Sequence, residues 1–158
     1  MEERRSLIEA VSGLSEEDAR IPLEPDAWCS HDILAHRLFW EGREVEAIGQ
    51  YLLGRRVELL DFPAKRLSGT NAAAVGTMEG MSSADILRDL GRTRAALIDL
   101  VGRLSDDDLN LPDNAARTIL GIALSHDREH AAQIRDWRAG RSSLPPSTPA
   151  PREPGLIT

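Results

Sequence analysis

Between Ser82 and Leu104 the chain reads SSADILRDLGRTRAALIDLVGRL. Ile86, Leu90, Leu97, Val101 and Leu104 recur there at separations of three, four and seven, with Thr93 filling the gap. That spacing draws one apolar stripe along a 3.6-residue helix, and Ser82 with Asp85 supplies a capping box at its start. A helix of this kind must bury its stripe against others. Residues 1–13 predict a short amphipathic helix carrying Leu7, Ile8 and Val11, ended by Gly13, and Ser15 opens a further turn as SEED. Pro22 and Pro25 make 21–28 an irregular connector. Ser30 is the expected N-cap of a helix running towards Gly54, with Ile33, Leu34, Leu38, Trp40, Val45, Ile48 and Leu52 inward. Such a helix is about 37 Å long, a suitable length for a bundle. The last helix spans about 115–138, with Ile119, Ala123, His126, His130, Ile134 and Trp137 close to one face.

The stretch 55–81 is the least legible. Pro63 interrupts it, and GTNAAAVGTMEG predicts a short helix near 70–79. SDDD at 105–108 repeats the capping signature, and LPDN at 111–114 marks a turn. Beyond Gly140, SSLPPSTPAPREPG is too rich in Pro and Ser to pack. No segment alternates with period two. The expectation is an all-α, four-helix bundle with extra short helices in the connections, as one domain over 1–139 and a Pro/Ser-rich mobile tail over 140–158.

A net charge of -7 without a basic stripe argues against nucleic acid as a partner. The opening MEERRSLIEAVSG lacks the apolar core of a signal peptide, and no run reaches membrane-spanning length, so no membrane association is expected. A single cysteine, Cys29, cannot form an internal disulfide, which points to a reducing, cytoplasmic location.

Three of the four histidines carry the chemistry. His126 and His130 share a helix face in LSHDREHAAQI, and His36 lies on another helix in SHDILAHRLFW. Neutral imidazoles suit a borderline-soft divalent metal, and three of them leave a coordination position open. The alternative is a set of core histidines satisfied by hydrogen bonds. Asp32, four residues before His36, is a candidate to hold an imidazole nitrogen from the second side. His31 reads as a surface or pocket-rim residue, Asp127 and Glu129 as solvated, and Cys29 as a small packed residue. Trp28, Trp40 and Trp137 fit either core packing or a pocket wall.

WCSHDILAHRLFWEG followed by TILGIALSHDREHAAQIRDWR resembles the DinB-like superfamily of metal-binding four-helix bundles, over roughly residues 1–138. Relatives include the amino-terminal domains of mycothiol-dependent maleylpyruvate isomerases, bacillithiol transferases and the ClbS/DfsB group. The resemblance implies a zinc or nickel ion held by His36 in LAH, His126 in SHD and His130 in EHAAQI, with Gln133 and Ile134 as framework. It also implies a homodimer. The isomerases carry a second domain where this chain has its Pro-rich tail, so an isomerase of that type is not expected. The leading expectation is a metal-dependent enzyme that activates a low-molecular-weight thiol, or water, against a small electrophilic substrate, as a thiol S-transferase or hydrolase. The alternative is a non-catalytic metal-binding or stress-associated bundle that binds a small ligand or partner. The sequence reveals no protein base.

Overall fold

The computed structural model describes residues 2–142. Seven α-helices follow in order: α1 Glu2–Val11, α2 Glu16–Ala19, α3 Ser30–Leu52, α4 Leu67–Thr77, α5 Ser83–Val101, α6 Asp106–Asn110 and α7 Ala115–Ser142. Two 3₁₀ turns, Glu58–Asp61 and Ala64–Arg66, lie in the stretch that the sequence left least legible. α1, α3, α5 and α7 build the bundle: α3 packs on both α5 and α7, and α1 packs on α7. The expected all-α bundle with short connecting helices is what forms, and no strand occurs among the described residues. None of the helices there is long and apolar enough to cross a membrane. α7 runs on to Ser142, past the boundary expected at 139, and the tail from 143 onward lies outside the described residues.

Local chemistry explains the helix starts. Ser82 and Ser105 cap α5 and α6 as their patterns require. α3 departs from expectation, because its N-cap is Cys29 rather than Ser30. Cys29 Sγ accepts from the Asp32 backbone N–H at 3.4 Å, while Asp32 Oδ2 accepts from the Cys29 N–H at 3.1 Å. A cap at Ser30 would place Ile33 three residues on, and an isoleucine cannot return the bond. At the other end Gly54 takes φ 64°, the left-handed conformation that terminates a helix at least cost in glycine.

The core is divided. One apolar cluster holds Leu7, Val11, Ile33, Leu34, Leu90 and Ile134, and another holds Ala47, Ile48, Val57, Leu97, Ala116 and Ile119. Between them lies a buried charged layer of three arginines, Arg4, Arg37 and Arg94, against three carboxylates, Glu41, Glu44 and Asp127. Asp127 is its hub, accepting from Arg4 Nε at 3.0 Å, Arg4 Nη2 at 3.2 Å, Arg37 Nε at 2.9 Å and Arg94 Nη2 at 2.8 Å. Arg94 Nε lies 2.6 Å from Glu41 Oε1 but is not aligned for a hydrogen bond, so that contact is an ion pair.

The layer corrects one expectation. Asp127 is not solvated but fully buried, since it occupies the inward slot between Ala123 and Ala131. In the gap of the α5 stripe Arg94 reaches inward beside the half-buried Thr93, whose Oγ1 donates to the Asp89 carbonyl of its own helix. Burial alone would push the Asp127 carboxyl up. Arg4 and Arg37, with Arg94 behind them, outweigh it and hold the group below the usual carboxylate range.

Candidate metal centre

With Asp127 turned inward, the residues one step before it and three after it project from the flank of α7. His126 and His130 share the face of Ile119, Ala123 and Ile134 as the sequence predicted, but they lie on its edge and are half-buried where those three are buried. His36, 5% exposed, faces them from α3. The ring centroids are 5.2 Å apart for His36–His130, 5.7 Å for His36–His126 and 6.1 Å for His126–His130. A cavity of about 500 Å³ opens over the three rings, walled by Trp28, Trp40, Leu59, Phe62, Leu67 and Ile122. Trp28 packs on His36 at 4.8 Å, and Trp40 is fixed by its indole N–H donating to Asn71 Oδ1 at 2.8 Å.

The electrostatics keep all three imidazoles neutral. Burial, then repulsion from His130 and His126 in their charged forms and from Arg37, pushes His36 down to about 3. Burial followed by Arg37 and His130 lowers His126. Burial also lowers His130, against the opposing hydrogen bond it donates to Gln133. Neutral imidazole is the form that binds metal.

Three imidazoles are a donor set suited to a divalent ion. Metal–nitrogen bonds of about 2.0–2.1 Å put imidazole centroids about 5 Å apart around a tetrahedral ion, so these rings, 5.2 to 6.1 Å apart, would have to close to hold one. His36 Nδ1 is buried without a hydrogen-bond partner, a costly state for a polar atom that nothing else engages. His130 Nδ1 lies 2.8 Å from Gln133 Oε1, which can only accept, so Nδ1 carries the proton and Nε2 presents a lone pair. His126 Nδ1 faces Arg37 Nη1 at 3.4 Å, a weak contact to a donor that puts the ring proton on Nε2, so an ion would bind His126 by displacing that contact at Nδ1 or by shifting the proton off Nε2.

Asp32 does not join this site. Its carboxylate turns back to cap α3, and Oδ1 lies 3.8 Å from His31 Nδ1. His31 is not at the surface either. It is 1% exposed, with Arg20 and the loop leading into α5 lying against it. Arg20 Nη2 reaches the Glu79 and Met81 carbonyls at 3.2 and 3.1 Å, Glu16 Oε1 at 3.1 Å and His31 Nε2 at 3.2 Å, more neighbours than its two protons can serve. A carbonyl can only accept, so the 3.0 Å contact of His31 Nε2 with the Met81 oxygen is a donation from the ring, and the Arg20 contact with Nε2 is not a hydrogen bond. Cys29, His31 and Asp32 bring sulfur, nitrogen and oxygen donor atoms within 4.8 Å of one another, so this group could hold a metal ion. Cys29 is buried as expected, and burial, with Asp32 beside it, pushes its thiol up to about 11.

Sequence reasoning missed Glu44, which lines the cavity beside His36 and His126. Burial raises its carboxyl against the pull of Arg37. Asn71, Phe62 and Leu59 were also missed, since they come from the connections whose path no periodicity reveals.

The DinB superfamily family model matches residues 2–134, and the chain belongs to that superfamily. The sequence matches no curated protein. Among solved structures it is similar to "Sibling Lethal Factor Precursor - DfsB", with a TM-score of 0.76 at 17% identity, covering 89% of this chain and 90% of that one. It is also similar to an uncharacterised protein from Escherichia coli UTI89, with a TM-score of 0.75 at 15% identity and 89% of each chain covered. At such identities the likeness shows a shared fold.

Proposed function

We propose that His36, His126 and His130 hold one divalent ion, zinc or nickel, in an enzyme that turns a small thiol or water against an electrophilic small molecule. The observation that carries this reading is the convergence of three neutral imidazoles on the floor of a cavity with room for a substrate. A bound ion would lower the pKa of a coordinated thiol or water into the neutral range. The chain supplies the rest. Gln133 fixes the His130 tautomer, so its lone pair faces the site without a rearrangement. Trp28, Trp40 and Phe62 give the electrophile an apolar wall and exclude bulk water. Glu44, whose carboxyl is raised by burial, is the group in the cavity suited to take the proton released as the nucleophile ionises. Arg37 lies 3.4 Å from each Glu44 oxygen and steadies the carboxylate between transfers.

The test is turnover of metal-loaded protein with a thiol and a panel of alkyl halides, epoxides and activated alkenes, scored for S-conjugates and hydrolysis products. Metal-dependent product formation, abolished in His130→Ala, supports the reading. Tight metal binding with no product from any pair would leave a ligand-binding bundle instead.

A further inference from the structure

We propose that Cys29, His31 and Asp32 form a second metal site, independent of the three histidines, that takes a thiophilic divalent ion such as zinc. Three observations on different atoms point to it. The ligand atoms of the three side chains lie within 4.8 Å of one another, against about 3.3–3.8 Å around a tetrahedral zinc, so small side-chain rotations would close them on one ion. His31 is 1% exposed and its Nδ1 has no hydrogen-bond partner. Because Nε2 donates to the Met81 carbonyl, Nδ1, on the side of Asp32, is the nitrogen left to meet an ion. That is the arrangement by which an outer carbonyl orients an imidazole ligand. Finally, a cavity of about 470 Å³ adjoins the cluster, lined by Arg20, Trp28, Cys29, Asp32, Val75 and Glu79, and gives a fourth ligand room to approach.

The donor set selects the ion. A thiolate, an imidazole and a carboxylate suit zinc, whereas magnesium and calcium require oxygen donors. Binding forms the sulfur–metal bond as the Cys29 S–H bond gives up its proton to solvent, and no electron changes hands. The helix cap need not be lost. Asp32 Oδ2 can keep the Cys29 N–H while Oδ1 turns to the ion, and the Asp32 N–H that Sγ now accepts would favour a thiolate more than a thiol. No ligand is shared with His36, His126 and His130, so the two sites can be emptied separately.

The experiment is a cobalt(II) titration of the His126→Ala/His130→Ala chain, followed by absorption, with circular dichroism confirming the fold. The expected result is one equivalent bound with a thiolate-to-cobalt charge-transfer band. The band should vanish in the same chain carrying Cys29→Ser, a substitution that preserves a good N-cap. Zinc should displace the cobalt, and His31→Gln should weaken zinc binding at least tenfold. A folded His126→Ala/His130→Ala chain that takes up no cobalt, or takes it up identically with Cys29→Ser, overturns the proposal. Failure of the three-histidine reading looks different, since wild-type metal content would then be unmoved by the histidine substitutions and abolished by Cys29→Ser.

Discussion

Replacing Asp127 by Asn tests whether the charged layer holds the bundle together. The substitution keeps shape and removes one charge, leaving three guanidinium groups against Glu41 and Glu44. Four hydrogen bonds from three arginines converge on this one carboxylate, which is completely buried. An amide can accept at one atom only, and its NH₂ would face arginine donors. Breaking a buried ion pair by removing one partner costs about 3–5 kcal/mol. In a chain of this size each kcal/mol lowers Tm by about 2–4 °C, so the melting temperature should fall by roughly 6–20 °C. Thermal unfolding followed by circular dichroism at pH 7.5 measures it. Asp18→Asn is the control: its 3.1 Å pair with Arg141 is exposed on both sides and should contribute about 0–1 kcal/mol. The Asp127→Asn loss should persist in high salt, because buried pairs are screened little. A Tm within about 2 °C of wild type would refute the reasoning and mean that the arginines find solvent or other acceptors without strain.

The remaining expectations concern the site. Glu44→Gln should lower kcat about 10²-fold or more, the usual range for removing a proton acceptor, while leaving metal content intact; unchanged kcat with unchanged pH dependence would remove Glu44 from the chemistry. In metal-free protein the three histidines favour the neutral form in the fold, so their contribution is full above the unfolded pKa and is lost as pH falls from about 6.5 toward the folded values. His36, pushed down to about 3, should account for about 1.4 kcal/mol per pH unit in that window. Glu44, raised by burial, opposes this in part. Urea unfolding at pH 7.5 and 5.0 should therefore show a net loss at the lower pH, and equal free energies would contradict the buried-neutral assignment. Gln133→Leu should weaken metal affinity about 10–100-fold, as expected when the group orienting a ligating imidazole is lost, and calorimetry that finds native affinity would show His130 to be oriented by packing alone.

Periodicity made the bundle legible, since α5 announces its stripe and its N-cap in one stretch. It also brought His36, His126 and His130 into one proposed group, and the structure places their rings together. What stayed hidden follows from treating charge as surface. In α3 the inward slots Leu34, Arg37, Glu41, Glu44 and Ile48 keep a three–four–three–four alternation, yet the middle three are ionic. Asp127, four residues after Ala123 and seven before Ile134, satisfies the same rule. A charged residue in a core register is affordable only when partners from other helices meet it, and one helix's pattern does not show those partners. Because Asp127 takes the core slot, the histidines shift to its flank and face a cavity instead of the interior. His31 was misplaced for a related reason: the two connections that bury it have no repeat from which to infer their path.

The most direct test of the metal centre is elemental analysis of Cys29→Ser protein, which lacks the thiol of the second cluster, purified without added metal or chelator. The account predicts one zinc or nickel ion per chain, lost from that protein when His130→Ala is added. A Cys29→Ser protein that holds no metal, and takes up none when zinc or nickel is supplied, would contradict the three-histidine centre.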